Sequence, residues 1–367
     1  MWRLSPATVV AEPPRSGVPT PLPGDTFDAV IVGAGAAGLS LACHLARARW
    51  GRDVLLVDDG SFPLEQRSWA WWTTGGGLLD SVASTGVDQL VVAGPGWRRR
   101  LALGPYSYRT ITGPDLSAAA DGLLRARPGY RRVRGRVRAV TRETATSRVT
   151  IDLLDSDGAR SAEVRARWVF DSVGPGSSPS RSSSTMNLDF LGLHVECTSD
   201  AFDAGAPTLM DFRTDQSDGA AFVYVLPTSA RTALVERTVF VRPQGDDGDL
   251  ALLGHEVHVQ DYLRSQLGVG SYRVTGRESG VIPLFRRPPA AAAGSVIPIG
   301  SRAGMVKAST GYGFARMQRH SAAIAARLIR GRSPAGAAPV HRWHRALDGA
   351  LLRVLRDDPA GALDVLT

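Results

Sequence analysis

Cysteine is scarce in this sequence, since Cys43 and Cys197 are the only two in 367 residues. A disulfide framework or a cluster of metal-binding thiolates needs more than two. His255 and His258 lie three residues apart, but no convincing third ligand accompanies them. The composition therefore excludes a small disulfide-stabilised secreted protein. We predict a reducing, cytoplasmic location and no metal site.

Long apolar segments are also missing. A membrane-spanning helix needs about 18 or more consecutive apolar residues, and the sequence has no such run. Residues 1–26 are rich in proline and lack the apolar core of a signal peptide, so we expect a flexible tail there. The sequence thus indicates a soluble protein or one that binds a membrane peripherally.

Lysine is nearly absent, and Lys307 is the only one in the sequence. The formal net charge of the chain is nevertheless +8. The positive charge is therefore carried by arginine, which is typical of coding by a GC-rich genome. None of the common nucleic-acid-binding motifs occurs, so we predict no nucleic-acid partner. The arginines at 98–100 and 131–138 are candidates for contact with anionic phospholipid.

A glycine-rich motif follows the first apolar strand. Residues 28–32 (DAVIV) predict a strand, residues 33–38 (GAGAAG) a phosphate-binding turn, and residues 39–49 a helix. In such a motif the first glycine makes the tight turn, the second lets the backbone approach a pyrophosphate, and the third lets the helix pack on the strand. These roles fall to Gly33, Gly35 and Gly38.

A second strand, residues 53–57, ends at Asp58, which is placed to accept hydrogen bonds from a ribose. The remaining patterns predict a helix, a β-meander and a returning strand, then a β-rich region, a late strand, a helix and a terminal amphipathic helix. The predicted elements are 115–127, 134–141, 148–154, 162–166, 168–174, 190–283, 295–300, 314–330 and 340–355. We expect a nucleotide-binding domain (27–189 with 290–335), a substrate-binding β-sheet domain (190–289) and a C-terminal helical segment (336–367).

One acid lies inside an apolar strand pattern, in residues 233–240 (ALVERTVF). Period two places Glu236 on the same face as Leu234, whereas Arg237 points to the other face. Burial is then expected to raise the pKa of Glu236 and to keep it protonated at neutral pH. A neutral carboxylic acid in a dry pocket is a proton donor. The alternative is a glutamate at a sheet edge or paired with a distant arginine such as Arg213.

Six short motifs occur in an order that resembles the lycopene cyclase family, especially its actinobacterial members. They are residues 67–72 (RSWAWW), 209–213 (LMDFR), 224–227 (YVLP), 234–238 (LVERT), 278–283 (ESGVIP) and 309–314 (STGYGF). The resemblance implies an α/β fold with an FAD-binding Rossmann-like domain of the p-hydroxybenzoate hydroxylase (GR2) type and an inserted β-rich substrate domain. It also implies that FAD, in its reduced form, is the cofactor, with NAD(P)H as a possible reductant.

The activity implied by the resemblance is cyclisation of a linear polyene without net oxidation. An acid protonates a terminal double bond, a nearby double bond attacks the carbocation, and a proton is lost. Such a substrate is dissolved in the lipid bilayer, so a peripheral membrane enzyme is expected. The cofactor-binding residues implied are Gly33, Gly35, Gly38, Asp58, Arg67, Val137, Gly300, Thr310, Gly311, Tyr312 and Gly313. The residues of an aromatic substrate channel are Trp69, Trp71, Trp72, Phe222 and Tyr224, although plain core is the alternative for these.

Three more residues are candidates for the catalytic group. Glu278 either shares the acid role or caps a turn before Gly280. Asp211 and Arg213 form a period-two pair that either positions Glu236 or the flavin, or is an ordinary ion pair within a strand.

Two positions depart from the family pattern. Many members have a second acid directly after the glutamate, where this chain has Arg237, and Ser301 stands where the wider superfamily often has aspartate. Two other functions stay open, the second because of these two departures. One is a redox FAD enzyme, such as a hydroxylase, a halogenase or a prenyl reductase, and the other is a carotenoid- or lipid-binding protein without turnover.

Overall fold

The computed structural model describes residues 25–83, 85–155, 158–174, 184–243, 248–337, 340 and 342–366. Most of the predicted proline-rich tail, residues 1–24, lies outside this range. The strands are β1 Thr26–Val32, β2 Val54–Asp58, β3 Ser68–Thr73, β4 Thr85–Val87, β5 Gln89–Gly94, β6 Trp97–Ala102, β7 Ser107–Thr112, β8 Tyr130–Arg142, β9 Ser147–Asp155, β10 Gly158–Asp171, β11 Met186–Cys197, β12 Thr208–Asp211, β13 Ala221–Pro227, β14 Thr232–Val241, β15 Tyr272–Leu284 and β16 Val296–Pro298. The helices are α1 Ala36–Arg47, α2 Gly113–Arg125, α3 Gly248–Ser265, α4 Phe314–Ile329, α5 Arg342–Asp357 and α6 Pro359–Leu366.

The first sheet has a parallel Rossmann-like centre. β1 lies between β2 and the second half of β10, and β8 and β16 extend the sheet on either side, all in parallel. The far half of β8, β9 and the first half of β10 form the antiparallel meander. Helices α1, α2 and α4 share one apolar cluster, and the meander contributes to a second cluster that includes Phe27, Val30 and Leu55.

The second sheet is mainly antiparallel, in the order β15-β11-β14-β13-β12-β5-β6. Helix α3 packs on one face through Val259, Tyr262 and Leu263. The other face meets α5, α6 and the loop before α4 in an apolar cluster that contains Phe222 and Phe240. The predicted pairing of β13 and β14 as neighbours is confirmed, with Tyr224 opposite Glu236.

Three features of the fold differ from the predictions. Residues 162–166 and 168–174 were expected as separate strands, but β10 is continuous because its two halves pair with different neighbours. β5 and β6 come from within the expected nucleotide-binding range, yet they extend the second sheet. The small sheet β3-β7-β4 and helix α6 were not predicted. Among the described residues, no helix is long and apolar enough to cross a bilayer.

Candidate functional site

The glycine-rich turn between β1 and α1 requires glycine at two positions. Gly33 has φ +93°, and Gly38 packs so closely that a Cβ there would lie 1.8 Å from the Gly33 carbonyl oxygen. Only glycine allows the helix to approach the strand in this way. The turn therefore brings the N-terminus of α1 to the carboxyl end of the parallel strands, where such sheets bind ligands.

Gly35 is different, because a Cβ there would meet no heavy atom of the protein within 4 Å. The N-terminus of α1 also has no side-chain cap and no acid in its first turn, within the described residues. Beside it, the Asp58 carboxylate accepts a hydrogen bond from the Ala34 amide at 2.7 Å. An open space bordered by a positive helix end and a carboxylate suits a pyrophosphate and a ribose.

The acid Glu236 lies in a row of residues across four strands. Glu278 on β15 and Glu236 on β14 are both directly opposite Gly192 on β11, and Tyr224 on β13 is opposite Glu236. All four therefore share one face of the sheet. A Cβ on Gly192 would lie 3.2 Å from the Glu236 Cβ and 3.3 Å from the Glu278 Cγ. The glycine thus leaves room for the two carboxyl groups to approach each other.

The two carboxyl groups hold protons more tightly than ordinary glutamates do. Burial raises the pKa of Glu236 to about 8, and the Glu278 carboxylate raises it too, whereas a hydrogen bond from Thr238 at 3.2 Å acts in the opposite direction. Burial likewise raises the pKa of Glu278 to about 7, against the effect of Arg67. Desolvation and like charge both disfavour ionisation. Both carboxyl groups therefore keep a proton to higher pH than an ordinary glutamate does.

Arg67 lies near Glu278 and was predicted to bind the cofactor. Its guanidinium donates a hydrogen bond to the Ser279 carbonyl at 3.3 Å. Glu278 is 7% exposed, and its Oε1 has no hydrogen-bond partner among the described residues. The His194 Nε2 is 3.6 Å from that oxygen. The Arg67 charge thus acts on Glu278 and opposes the rise of its pKa.

A cluster of hydroxyl groups and rings lies over the acid. The hydroxyl of Tyr108 on β7 is 3.0 Å from that of Tyr312, which also hydrogen-bonds Tyr224. The Trp72 ring is 4.8 Å from the Tyr312 ring and 5.1 Å from the Tyr108 ring, centroid to centroid. Burial raises the pKa of Tyr108 and of Tyr224, and the charge of Glu236 adds to the rise, so these hydroxyls stay neutral. Tyr108 was not predicted.

The other residues of the expected channel occupy different places. Trp71 is buried with its ring 4.7 Å from that of Phe314, and its Nε1 donates to Asp80 at 3.2 Å. Trp69 also stacks on Phe314, in the same core as α1 and α4. Phe222 is fully buried under α5 and α6. Of the five residues, Tyr224 belongs to the tyrosine cluster above the acid, and Trp72 and Phe222 contact that cluster, the Phe222 ring lying 5.1 Å from the Tyr224 ring.

The loop before α4 rests on the same sheet face as Glu236. Gly311 has φ +76°, and a Cβ there would lie 2.7 Å from the Leu188 Cδ1. The Thr310 Oγ1 is buried without a hydrogen-bond partner in the described part of the chain. Gly313 begins α4, whose first turn has neither an acid nor a side-chain cap in that same part. A positive helix end and an unsatisfied hydroxyl again suit a polar ligand.

Two of the predicted cofactor residues, Gly300 and Val137, have mainly structural surroundings. Gly300 has φ +60°, and a Cβ there would lie 2.7 Å from the Ala37 Cβ, so it brings the late strand close to α1. The segment from Gly300 through Ser301 to Ala303 is a single 3₁₀ turn. Val137 lies on the meander and packs against the apolar cluster there.

Arg237 lies on the face opposite Glu236, as its alternation in the strand predicts. It is 1% exposed and contacts α3, where its guanidinium is 3.3 Å from the His255 Nδ1. Its Nη2 also donates to the Asp215 carbonyl at 3.1 Å. An acid at this position would therefore point away from Glu236. In this chain, Glu278 supplies the second carboxyl group from another strand.

Asp211 and Arg213 do not meet Glu236, so their predicted positioning role is not supported. A register shift in β12 places Asp211 opposite Val223, on the α3 face. The Asp211 carboxylate accepts from Arg213 at 2.6 Å and from the Tyr262 hydroxyl at 2.7 Å. Burial acts to raise the pKa of Asp211, but these hydrogen bonds bring it below its usual value. The pair is an ion pair that fastens α3 to the sheet.

Known proteins share both the sequence and the fold. The family model described as lycopene cyclase protein matches residues 28–363. A lycopene beta-cyclase of Paracoccus sp. (strain N81106 / MBIC 01143) is 30% identical over 305 residues, which are 78% of this chain and 70% of that protein. The family resemblance seen in the six motifs is thereby confirmed.

Two solved structures resemble the fold at low sequence identity. A geranylgeranyl bacteriochlorophyll reductase-like protein from Thermoplasma acidophilum has a TM-score of 0.63 at 14% identity, over 90% of this chain and 83% of that one. The p-nitrophenol 4-monooxygenase PnpA from Pseudomonas putida DLL-E4 has a TM-score of 0.61 at 18% identity, over 93% and 98%. The predicted fold, a Rossmann-like domain of the FAD-binding type with a β-rich domain, is confirmed.

Proposed function

Because this chain belongs to the lycopene cyclase family, we propose that it binds FAD and closes an end of a linear isoprenoid polyene, such as lycopene, into a ring. The observation that carries the proposal is the placement of the Glu236 carboxyl group beside that of Glu278, on a sheet face shared with apolar and aromatic residues, where burial raises the pKa of Glu236. An acid that keeps its proton at neutral pH in a dry site can protonate a carbon–carbon double bond.

The residues present fit FAD at two places. The open space at Gly35, with Asp58 beside it, would take the pyrophosphate and a ribose. The loop from Thr310 to Gly313 would meet the flavin ring with its unsatisfied hydroxyl and the start of α4. When bound in reduced form, the flavin would supply negative charge that lowers the energy of a nearby carbocation.

The proposed reaction is an isomerisation, in which the polyene gains one proton, loses one proton and is neither oxidised nor reduced. Glu236 gives its proton to the terminal double bond of the polyene, which leaves a tertiary carbocation. A second double bond of the same chain attacks this carbon and closes the ring. A neighbouring carbon then loses a proton to form the ring alkene, and a proton returns to the carboxyl pair. The elemental composition of the product equals that of the substrate.

The surroundings of Glu236 support the carbocation step. Trp72, Tyr108, Tyr224 and Tyr312 present rings close to the acid, and ring faces attract cationic carbon. Their hydroxyls bond to one another, so they are poorly placed to attack the cation as nucleophiles. The buried Tyr108, Tyr224 and Glu278, together with bound substrate, would keep water from capturing the cation as an alcohol.

Glu278 would set the pH range of the reaction. Its charge raises the pKa of Glu236, and Glu236 must be protonated to act. Activity should therefore fall as the pH rises through the pKa of Glu236. In Glu278→Gln the negative charge of Glu278 is removed, so the pKa of Glu236 should fall. We expect the alkaline limb of the kcat/KM profile to move to lower pH. Glu196→Gln changes a partly exposed glutamate that is paired with Arg273 near the end of β11, and it should leave the limb in place. A limb that stays or moves to higher pH in Glu278→Gln contradicts this role.

We further propose that the enzyme is peripheral to the inner face of the membrane, where its substrate is dissolved, and that NAD(P)H or another reductant maintains the reduced flavin. The basic composition and the lipid solubility of a polyene support a bilayer as the partner.

Product analysis tests the function. Purified protein is incubated anaerobically with FAD, a reductant and lycopene in liposomes. The pigments are then separated, and their masses are determined by mass spectrometry. A cyclic product with the mass of lycopene is expected. An oxygenated, halogenated or hydrogenated product would assign the chain to the redox alternative instead, and recovery of bound, unchanged lycopene would make it a binding protein.

A further inference from the structure

One side of α5 exposes apolar residues to solvent. Trp343 is 64% exposed and Leu347 is 51% exposed, and Ala346 and Ala350 on the same side of the helix are exposed as well. Positions three and four apart share one face of a helix, so these four residues form a continuous stripe. We call it the α5 stripe. Solitary exposed apolar residues are common, but an ordered stripe beside a basic region is typical of a binding surface.

Arginines flank the α5 stripe. Arg353 lies on α5 three residues after Ala350 and is exposed, but the Asp357 carboxylate is near it. Arg345 lies on the inner side of the helix, three residues before the buried Asp348. Arg286 and Arg287 follow β15 and are also exposed; a Cβ on Gly349 of α5 would lie 3.8 Å from the Arg286 Nε. Asp348 is the one acid between Trp343 and Arg356, and it is buried and bound to Arg316 and Ser309. The exposed Asp357 at the C-terminal end of α5 is paired with Arg356 at 2.7 Å. The positive charge beside the stripe therefore comes mainly from the exposed Arg286 and Arg287.

The arginine series 131–138 is less suited to such a role. Arg131, Arg136 and Arg138 have acidic neighbours in Asp25, Asp59 and Asp152. Charges already neutralised by carboxylates attract anionic headgroups weakly.

The opposite side of α5 covers the apolar end of the substrate sheet. Leu352 and Leu355 pack in the cluster that contains Phe222 and Phe240. Phe240 and Glu236 lie on the same face of β14, four residues or about 13 Å apart. Asp348 also ties α5 to the loop before α4, because it accepts from Ser309 at 2.8 Å. The α5 stripe is thus separated from the acid by one layer of helix and one stretch of sheet.

We propose that α5 docks on an anionic phospholipid bilayer. Trp343 and Leu347 enter the boundary between headgroups and acyl chains, and Arg286 and Arg287 contact phosphates. Docking in this orientation sets the apolar end of the sheet next to the bilayer that contains the polyene. The choice of this bilayer as the source of substrate rests on the proposed function, whereas the docking itself does not.

Vesicle flotation of the FAD-loaded protein, without polyene, tests the docking. The vesicles contain phosphatidylcholine alone or with phosphatidylglycerol. We expect preference for the anionic vesicles, and a loss of at least about tenfold in partitioning for the double variant Trp343→Ser/Leu347→Ser. The pair Arg286→Gln/Arg287→Gln should lose the preference for phosphatidylglycerol. Val257→Ser on α3 removes another exposed apolar residue and should change nothing. Unchanged melting temperatures verify the folding of each variant.

Several results would overturn the proposal. They are equal binding of the double variant and the unsubstituted protein, an equal loss in Val257→Ser, and absence of preference between the two vesicle types. Self-association that the double variant abolishes, without an effect on vesicles, would assign the stripe to a second copy of the chain. Cyclisation of lycopene in detergent micelles separates the two proposals, because the double variant should keep that activity and lose activity with liposomes.

Discussion

Glu236→Gln should reduce the rate of polyene cyclisation by roughly 10²- to 10⁴-fold, the usual contribution of a positioned general acid. The amide has nearly the shape of the protonated carboxyl group, so the sheet and the hydrogen bond with Thr238 should persist. It cannot give a proton to a carbon–carbon double bond. The measurement is the initial rate of ring formation at saturating lycopene, with FAD content and melting temperature determined on the same sample.

A matched control is Glu163→Gln, which changes an exposed glutamate of β10 far along the chain from the acid pair. It should have full activity.

The pH dependence of stability gives a second prediction for Glu236→Gln. Burial raises the pKa of Glu236 above its ordinary 4.5, so its contribution to stability is present at low pH and is lost as the pH rises through about 8. The free energy of unfolding of Glu236→Gln should therefore vary less between these values. Near-normal turnover in this variant would remove Glu236 from the acid role.

Gly35→Ala should abolish tight FAD binding and leave the protein folded. Gly35 has φ −75°, which alanine adopts without strain, and its Cβ would meet no protein atom within 4 Å. The methyl group would instead occupy the space that we assign to the pyrophosphate. We expect the FAD dissociation constant to rise at least about tenfold, or ~1.4 kcal/mol. The apoprotein should be as stable as before or slightly more stable, because alanine restricts the unfolded chain.

Gly38→Ala is the contrasting variant three residues away. Its Cβ would lie 1.8 Å from the Gly33 carbonyl oxygen, a backbone atom that cannot move aside without separating α1 from β1. We expect a loss of about 1–3 kcal/mol or more in the free energy of unfolding, even without FAD. Isothermal titration with FAD and urea unfolding of the apoproteins distinguish the two variants. If Gly35→Ala bound FAD normally, the pyrophosphate site would be elsewhere.

The sequence was sufficient where the signal is local. The alternation of residues 233–240 placed Glu236 and Arg237 on opposite faces, and the structure has them there. The glycine spacing likewise predicted the tight turn and the close packing at Gly33 and Gly38. Both patterns depend on the period of one element and its immediate neighbours, which a single sequence contains.

Features that depend on strand register could not be predicted from the sequence alone. Glu278 approaches Glu236 because Gly192 lies between them on a third strand, and no local pattern fixes that register. Asp211 was associated with Glu236, but the register shift in β12 turns it to the other face. Tyr108 belongs to a strand that was not predicted at all. A glycine inside a strand pattern does signal close approach, so Gly192 was the available hint.

The most direct test of the central claim is cyclisation of lycopene in deuterated water. If Glu236 protonates the terminal double bond and no redox step follows, each ring formed should contain one carbon-bound deuterium, and the product should otherwise have the composition of lycopene. Rings without solvent deuterium would contradict protonation by an exchangeable acid. A product with added oxygen, or with two added hydrogens, would contradict the non-redox reaction.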